Sequence, residues 1–210
     1  MSGEWTQKEL KRIVNKYTAV TIPVGISIVG NNRILNMDGA ESVLKGASII
    51  AVSRCGCRER LKKCDRPIDV CISVNRAARD GIRKGTAREI SLHEALDVLK
   101  LTNEAGLVHV TYTVKNRNEL SVICSCCACC CHNLAAMARF GMHDAVVKSD
   151  YVSVNSQELC TDCGICIDRC QFGARQLQDG SLVYDETRCF GCGVCTSTCP
   201  SGAISLRKRV

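Results

Sequence analysis

The chain has 210 residues, 18 of them cysteine, and a formal charge of +7, a length that suits one generous domain or two small ones. The first dozen residues contain no apolar stretch of leader length, and no run approaches the ~20 apolar residues of a membrane helix. The cysteines cluster as C-C, C-x-C and C-x2-C, spacings that bridge poorly, so a disulfide scaffold gives way to thiolate–metal chemistry in a reducing, low-oxygen cytoplasm.

Thr6-Gln7-Lys8-Glu9 is a capping box, predicting a short helix with Leu10, Ile13, Val14 and Tyr17 on one face. Val20, Ile22, Val24, Ile26 and Ile28 alternate as a half-buried strand, and Gly30-Asn31-Asn32 turns toward a second strand from Arg33 to Met37. Asp38 and Glu41 open a brief helix to Lys45, and Ala47 to Ser53 reads as a buried strand. Residues 54–88 carry eleven basic and four acidic residues, with a helix expected from Val74 to Lys84. The box Ser91-Leu92-His93-Glu94 opens another helix, with Leu92, Ala95, Leu96 and Leu99 inward and a stop at Gly106. Val108 to Val114, a turn at Asn116-Arg117-Asn118 and Leu120 to Ile123 form a predicted hairpin, and Asn133 to Phe140 a helix closed by Gly141. The expected fold class is α+β: a small mixed α/β N-terminal domain over 1–145, then a two-cluster module over 150–206. No flexible linker separates them, so the two should pack together.

Two late runs repeat at 29 residues: Cys160, Cys163, Cys166, Cys170 and Cys189, Cys192, Cys195, Cys199. Each reads C-x2-C-x2-C-x3-C, and the second ends in Pro200. Three thiolates two residues apart can wrap one cubane, while a fourth cysteine three residues on sits past the loop. Residues 150–206 resemble the bacterial-type ferredoxin with two [4Fe-4S] clusters. The resemblance implies one cluster on Cys160, Cys163, Cys166 and Cys199, and another on Cys189, Cys192, Cys195 and Cys170. Gln171 departs from the family, which usually has proline there; the ligands should be unaffected. Gly164, Gly191 and Gly193 let backbone N–H groups approach cluster sulfur. Zinc suits this pattern poorly, since it needs two C-x2-C pairs.

The other ten cysteines are Cys55, Cys57, Cys64, Cys71, Cys124, Cys126, Cys127, Cys129, Cys130 and Cys131. Cys124, Cys127 and Cys130 share the C-x2-C-x2-C register, and Cys55, Cys57, Cys64 or Cys71 could donate a fourth thiolate. At least one further iron–sulfur cluster is expected, of open nuclearity. Competing readings are a structural zinc on Cys55, Cys57, Cys64 and Cys71, or a thiol relay through Cys129, Cys130 and Cys131. His132 is a ligand or a local hydrogen-bonding residue; His93, His109 and His143 receive no role. The segments Cys55-Gly56-Cys57-Arg58, His93-Glu94-Ala95-Leu96, Gly106-Leu107-Val108-His109 and Cys124 to Cys131 are similar to those of uncharacterised iron–sulfur proteins from anaerobes, a likeness of architecture without a reaction.

Residues 157–206 carry six acids and three bases, and two oxidised clusters would take this segment to about −7. The preceding 156 residues stand at +7, so the molecule is bipolar, which suits electrostatic docking with redox partner proteins or simply solvates a basic face. Arg54, Arg58, Arg60, Lys62, Lys63 and Arg66 surround the first cysteines. No phosphate loop, dinucleotide fingerprint or hydrolytic triad is present. The leading expectation is an electron-transfer protein, a component or subunit of an oxidoreductase. The alternative is a redox enzyme whose N-terminal cysteine cluster is the active site. Helix, helix, hairpin over 73–123 also matches the order of a winged helix on DNA, but no base-reading side chain can be named, so nucleic acid is the least expected partner.

Overall fold

The computed structural model describes residues 4–20, 34–114, 120–142 and 146–209. Thr6 Oγ1 accepts from the Glu9 N–H at 3.3 Å, and Glu9 accepts from the Thr6 N–H at 3.0 Å. This capping box opens α1 (Gln7–Lys16). The chain runs straight into β1 (Tyr17–Val20), so Tyr17 starts a strand instead of closing the helix face. The expected continuation through Ile22, Val24, Ile26 and Ile28, and the turns at Gly30-Asn31-Asn32 and Asn116-Arg117-Asn118, lie outside the described residues. Next come β2 (Ile34–Leu35), α2 (Met37–Lys45) and β3 (Ile50–Arg54). The stretch after β3 holds α3 (Gly56–Leu61) and β4 (Asp69–Val74), neither anticipated. Then follow α4 (Asn75–Arg83), β5 (Arg88–Ile90) and α5 (Leu92–Glu104). In α5 Ala95 and Leu99 are fully buried, but Leu92 is 36% exposed, because the helix meets the core only from its second turn. The strands β6 (Val108–Val114) and β7 (Leu120–Cys126) precede α6 (His132–Phe140), which stops at left-handed Gly141.

These strands form one antiparallel sheet in the order β1-β6-β7-β4-β3-β5, with β2 also paired to β6. On one face α2 and α5 bury Leu44, Ala95 and Leu99 against Ile72 and Ile123. On the other, Leu10 of α1 and Leu134 of α6 pack with Val108, Val110 and Tyr112. The β6–β7 hairpin lies inside the sheet, flanked by β1 and β4, where it cannot project as the wing of a winged helix.

The C-terminal region pairs β8 (Tyr151–Asn155) with β11 (Ile204–Lys208), and β9 (Arg175–Gln178) with β10 (Ser181–Tyr184). A short helix, α7 (Ile165–Arg169), lies between β8 and β9. Helices and antiparallel sheets together make the fold α+β, as the sequence predicts. No helix among the described residues is long and apolar enough to cross a membrane.

The front and back halves share a core. Phe190 and Val194 join the cluster built on Leu107, Leu134 and Met137, and Phe172 stacks on Phe190 at 4.3 Å. Arg169 donates to the Glu104 carbonyl at 2.7 Å. Gly106 has φ +71, a left-handed backbone that favours glycine, and the mobile tip of Arg169 lies 2.7 Å from where a Cβ would sit.

Candidate metal centres

The ten front-half cysteines gather at one end of the sheet because of how the strands run. β3 ends at Arg54, β4 begins at Asp69, and Ile72 pairs with Ile123. The β3–β4 connection with Cys55, Cys57 and Cys64, Cys71 in β4 and the end of β7 therefore meet. Strand side chains alternate faces, so with Ile123 turned into the α2–α5 core, Cys124 and Cys126 share the opposite face. Ser125 turns back toward α5, donating to Thr102 at 3.1 Å beside His109.

Within this end the thiols divide. The Sγ atoms of Cys64, Cys127, Cys129 and Cys130 all lie within 4.8 Å of one another, with Cys64 at 4.0 Å from Cys127 and 3.9 Å from Cys130. The remaining six form a row of interacting side chains, from Cys57 through Cys55, Cys71, Cys124 and Cys126 to Cys131. His132 Nδ1 stands 3.3 Å from Cys57 Sγ. The Tyr112 hydroxyl lies 3.9 Å from Cys126 and 3.7 Å from Cys131, and its ring is 6.0 Å from that of His132, so the row curls back on itself. The register of Cys124, Cys127 and Cys130 is thus not kept in space: Cys127 and Cys130 belong to the quartet and Cys124 to the row. Strand β7 holds Cys124 on the sheet, while Cys127 lies in the turn after it. The expected zinc set is likewise divided, with Cys64 apart from Cys55, Cys57 and Cys71.

Between the two groups lies Arg58, 2% exposed. Its Nη1 donates to the Ser125 carbonyl at 2.8 Å and approaches Cys127 Sγ at 3.9 Å. Burial alone would weaken its hold on the proton, but Cys55 and Cys127 outweigh that and keep it cationic. Its Nε and Nη2 have no protein partner. A buried guanidinium left so short of acceptors calls for an anion beside it, and a metal–thiolate centre of sulfur ligands is such an anion. On sequence alone Arg58 is one of six basic residues on a solvated face; only the tertiary contacts set it apart.

In the C-terminal module a cavity is lined by Cys160, Cys163, Cys166, Cys199 and Pro200. Cys170 lies instead among the second loop's thiols: burial pushes Cys195 up to about 11, with Cys189 and Cys170 adding to the rise. Burial would also raise Cys189, yet hydrogen bonds from Ser153, Tyr184 and the Gly191 N–H outweigh it and hold this thiol below its ordinary value. Gly191 has φ +67, and a Cβ there would come 1.9 Å from the Tyr151 carbonyl. No other residue lets this loop lie against β8. Cys199 thus stands with the first loop's thiols and Cys170 with the second's, and such donors, thiols with N–H groups nearby, suit [4Fe-4S] clusters.

Gln171, the departure from proline, crosses the interface. Its Oε1 accepts from the Ala128 N–H at 3.0 Å, and its Nε2 donates to the Gly106 carbonyl at 3.1 Å. Cys170 and Gln171 line one groove together with Cys64 and Cys129. Proline could supply neither bond. Gln171→Pro is expected to leave iron and sulfide content unchanged while loosening the interface, seen as faster hydrogen exchange at Ala128 and Leu107. Unchanged exchange would mean that the bridge holds nothing.

A family model described as a 4Fe-4S dicluster domain matches residues 159–203, which include all eight C-terminal cysteines. No curated protein matches the chain. The match supports a ferredoxin-type module with an iron–sulfur electron-transfer role; the likeness of the front half rests on its cysteine cluster alone.

Proposed function

We propose that this protein is an electron carrier, a component or subunit of an oxidoreductase, whose C-terminal module exchanges electrons with a further iron–sulfur centre in the N-terminal half. The observation that carries the reading is the shared groove, where Cys170 of the ferredoxin-type module stands with Cys64 and Cys129 of the quartet beside the Gln171 bridge, and the quartet in turn adjoins the six other thiols across Arg58. In the C-terminal module Cys160, Cys163, Cys166 and Cys199 would hold one [4Fe-4S] cluster, and Cys189, Cys192, Cys195 and Cys170 the other. The six-thiol row, with Arg58 as buried counter-charge, would hold the N-terminal cluster. These clusters supply one-electron chemistry when bound. The chain's own residues keep the thiols converged, exclude water from the shared core and place the two thiol-rich regions side by side.

The test is iron and acid-labile sulfide analysis of protein prepared without oxygen, with EPR after stepwise reduction. The C-terminal module accounts for ~8 iron and ~8 sulfide per chain. Further sulfide is expected, and Cys55→Ser with Cys126→Ser should remove that surplus alone. Sulfide that stops at ~8 would sink the N-terminal cluster.

A further inference from the structure

We infer that Cys64, Cys127, Cys129 and Cys130 form a separate site for one tetrahedral divalent ion, iron or zinc, with no bridging sulfide. The inference deepens the N-terminal half of the proposed function, and the two can fail separately. Inorganic sulfide reports the cluster, whereas this site is a metal without sulfide.

The case rests on spacing. A tetrahedral ion bonded to thiolate at ~2.3 Å places its sulfurs ~3.8 Å apart, by the geometry of the tetrahedron. Cys64 lies 4.0 Å from Cys127 and 3.9 Å from Cys130, and all four Sγ atoms fall within 4.8 Å of one another. A cubane interposes its own iron and sulfide between its ligands and drives the thiolates well apart. Among the described residues the quartet is the one set of three or more Cys, His, Asp or Glu ligand atoms drawn so close. The thiols assigned to the two ferredoxin clusters stand wider, in the same structure. The six-thiol row also lacks such a compact set, so the difference is specific to the quartet. Four sulfur donors select a thiophilic ion of tetrahedral preference over a hard cation.

The surroundings are those of a built site. Cys127 and Cys130 are fully buried. The Trp5 indole N–H donates to the Cys130 carbonyl at 2.9 Å, and the Arg60 guanidinium covers the Trp5 ring at 4.0 Å. The Cys131 N–H donates to the Cys127 carbonyl at 2.9 Å, closing the turn that carries three of the four ligands. The fourth, Cys64, comes from the loop after α3, which ends at left-handed Lys62. A bound ion would therefore tie the β3–β4 connection to the turn after β7.

Metal and sulfide analysis of a Cys64→Ser/Cys129→Ser variant tests the assignment. One metal ion per chain is expected to be lost, with labile sulfide unchanged and the reduced-cluster EPR signals retained. Loss of iron and sulfide together would make the quartet a cluster site and overturn the inference; so would no loss of metal at all. Should the variant fail to fold, the wild-type protein answers. Zinc-edge X-ray absorption should show four sulfurs at ~2.3 Å and no neighbouring metal, or Mössbauer spectra of iron-loaded protein should show one uncoupled tetrathiolate iron. The first result identifies zinc and the second iron, and both support a single ion. Coupled cluster iron throughout, with no zinc, would refute it.

Discussion

Changing Cys199 to Ala is expected to damage the cluster cradled by Cys160, Cys163 and Cys166, and to spare the one beside its own sequence neighbours. Cys199 follows Cys192 and Cys195 in the chain, so a local reading assigns it to their loop. In space it lines a cavity with Cys160, Cys163 and Cys166, while Cys170 keeps company with Cys189 and Cys195. The loss should reach up to ~4 iron per chain, and the reduced EPR spectrum should overlay that of a Cys160→Ala variant. With one cluster gone, the magnetic coupling between the pair disappears and a simpler signal remains. A spectrum matching Cys189→Ala instead would overturn the exchanged assignment.

How much of the molecule is legible without coordinates depends on the length scale of each signal. The two C-x2-C-x2-C-x3-C runs are local and near-identical, so their chemistry can be read directly. Capping boxes at Thr6 and Ser91, and the glycine stop at Gly141, are equally local. Strand β4 escapes notice although Val70, Ile72 and Val74 alternate in sequence and are all buried, because the basic residues flanking them dominate the composition of 54–88. The division of the ten thiols is not legible at all. Cys124, Cys127 and Cys130 fit a cluster register, but the pairing of β4 with β7 keeps Cys124 beside Cys71, and the turn after β7 carries the other two to Cys64. Gln171 shows the same limit: as a substitution it looks neutral, and only the chain 43 and 65 residues upstream gives its side chain something to hold.

Arg58 carries the second large effect. Its guanidinium is 2% exposed, makes its one close hydrogen bond to the Ser125 carbonyl, and leaves Nε and Nη2 without a protein partner. A buried charge that lacks its counter-charge destabilises a protein by ~3–5 kcal/mol, whereas an apolar side chain of similar volume does not. In the metal-loaded protein the full set of metal-bound thiolates supplies that counter-charge; after chelation only Cys55 and Cys127 remain to offset it. Chelation is therefore expected to destabilise the wild type more than Arg58→Met, by up to ~3–5 kcal/mol as measured by anaerobic denaturant unfolding. The C-terminal clusters are stripped from both proteins alike, so the difference isolates the surroundings of residue 58. The loaded variant should also retain its N-terminal metal less tightly, and any redox-active centre there should fall in potential once the neighbouring cation is gone. The sign for the apoproteins decides between two roles. A Met apoprotein as stable as the wild type, or more so, means the arginine is present for the anion. If it is instead less stable by the worth of one charged hydrogen bond, ~1.5–3 kcal/mol, then Arg58 serves as a strut from α3 to Ser125, and its buried charge requires no metal beside it.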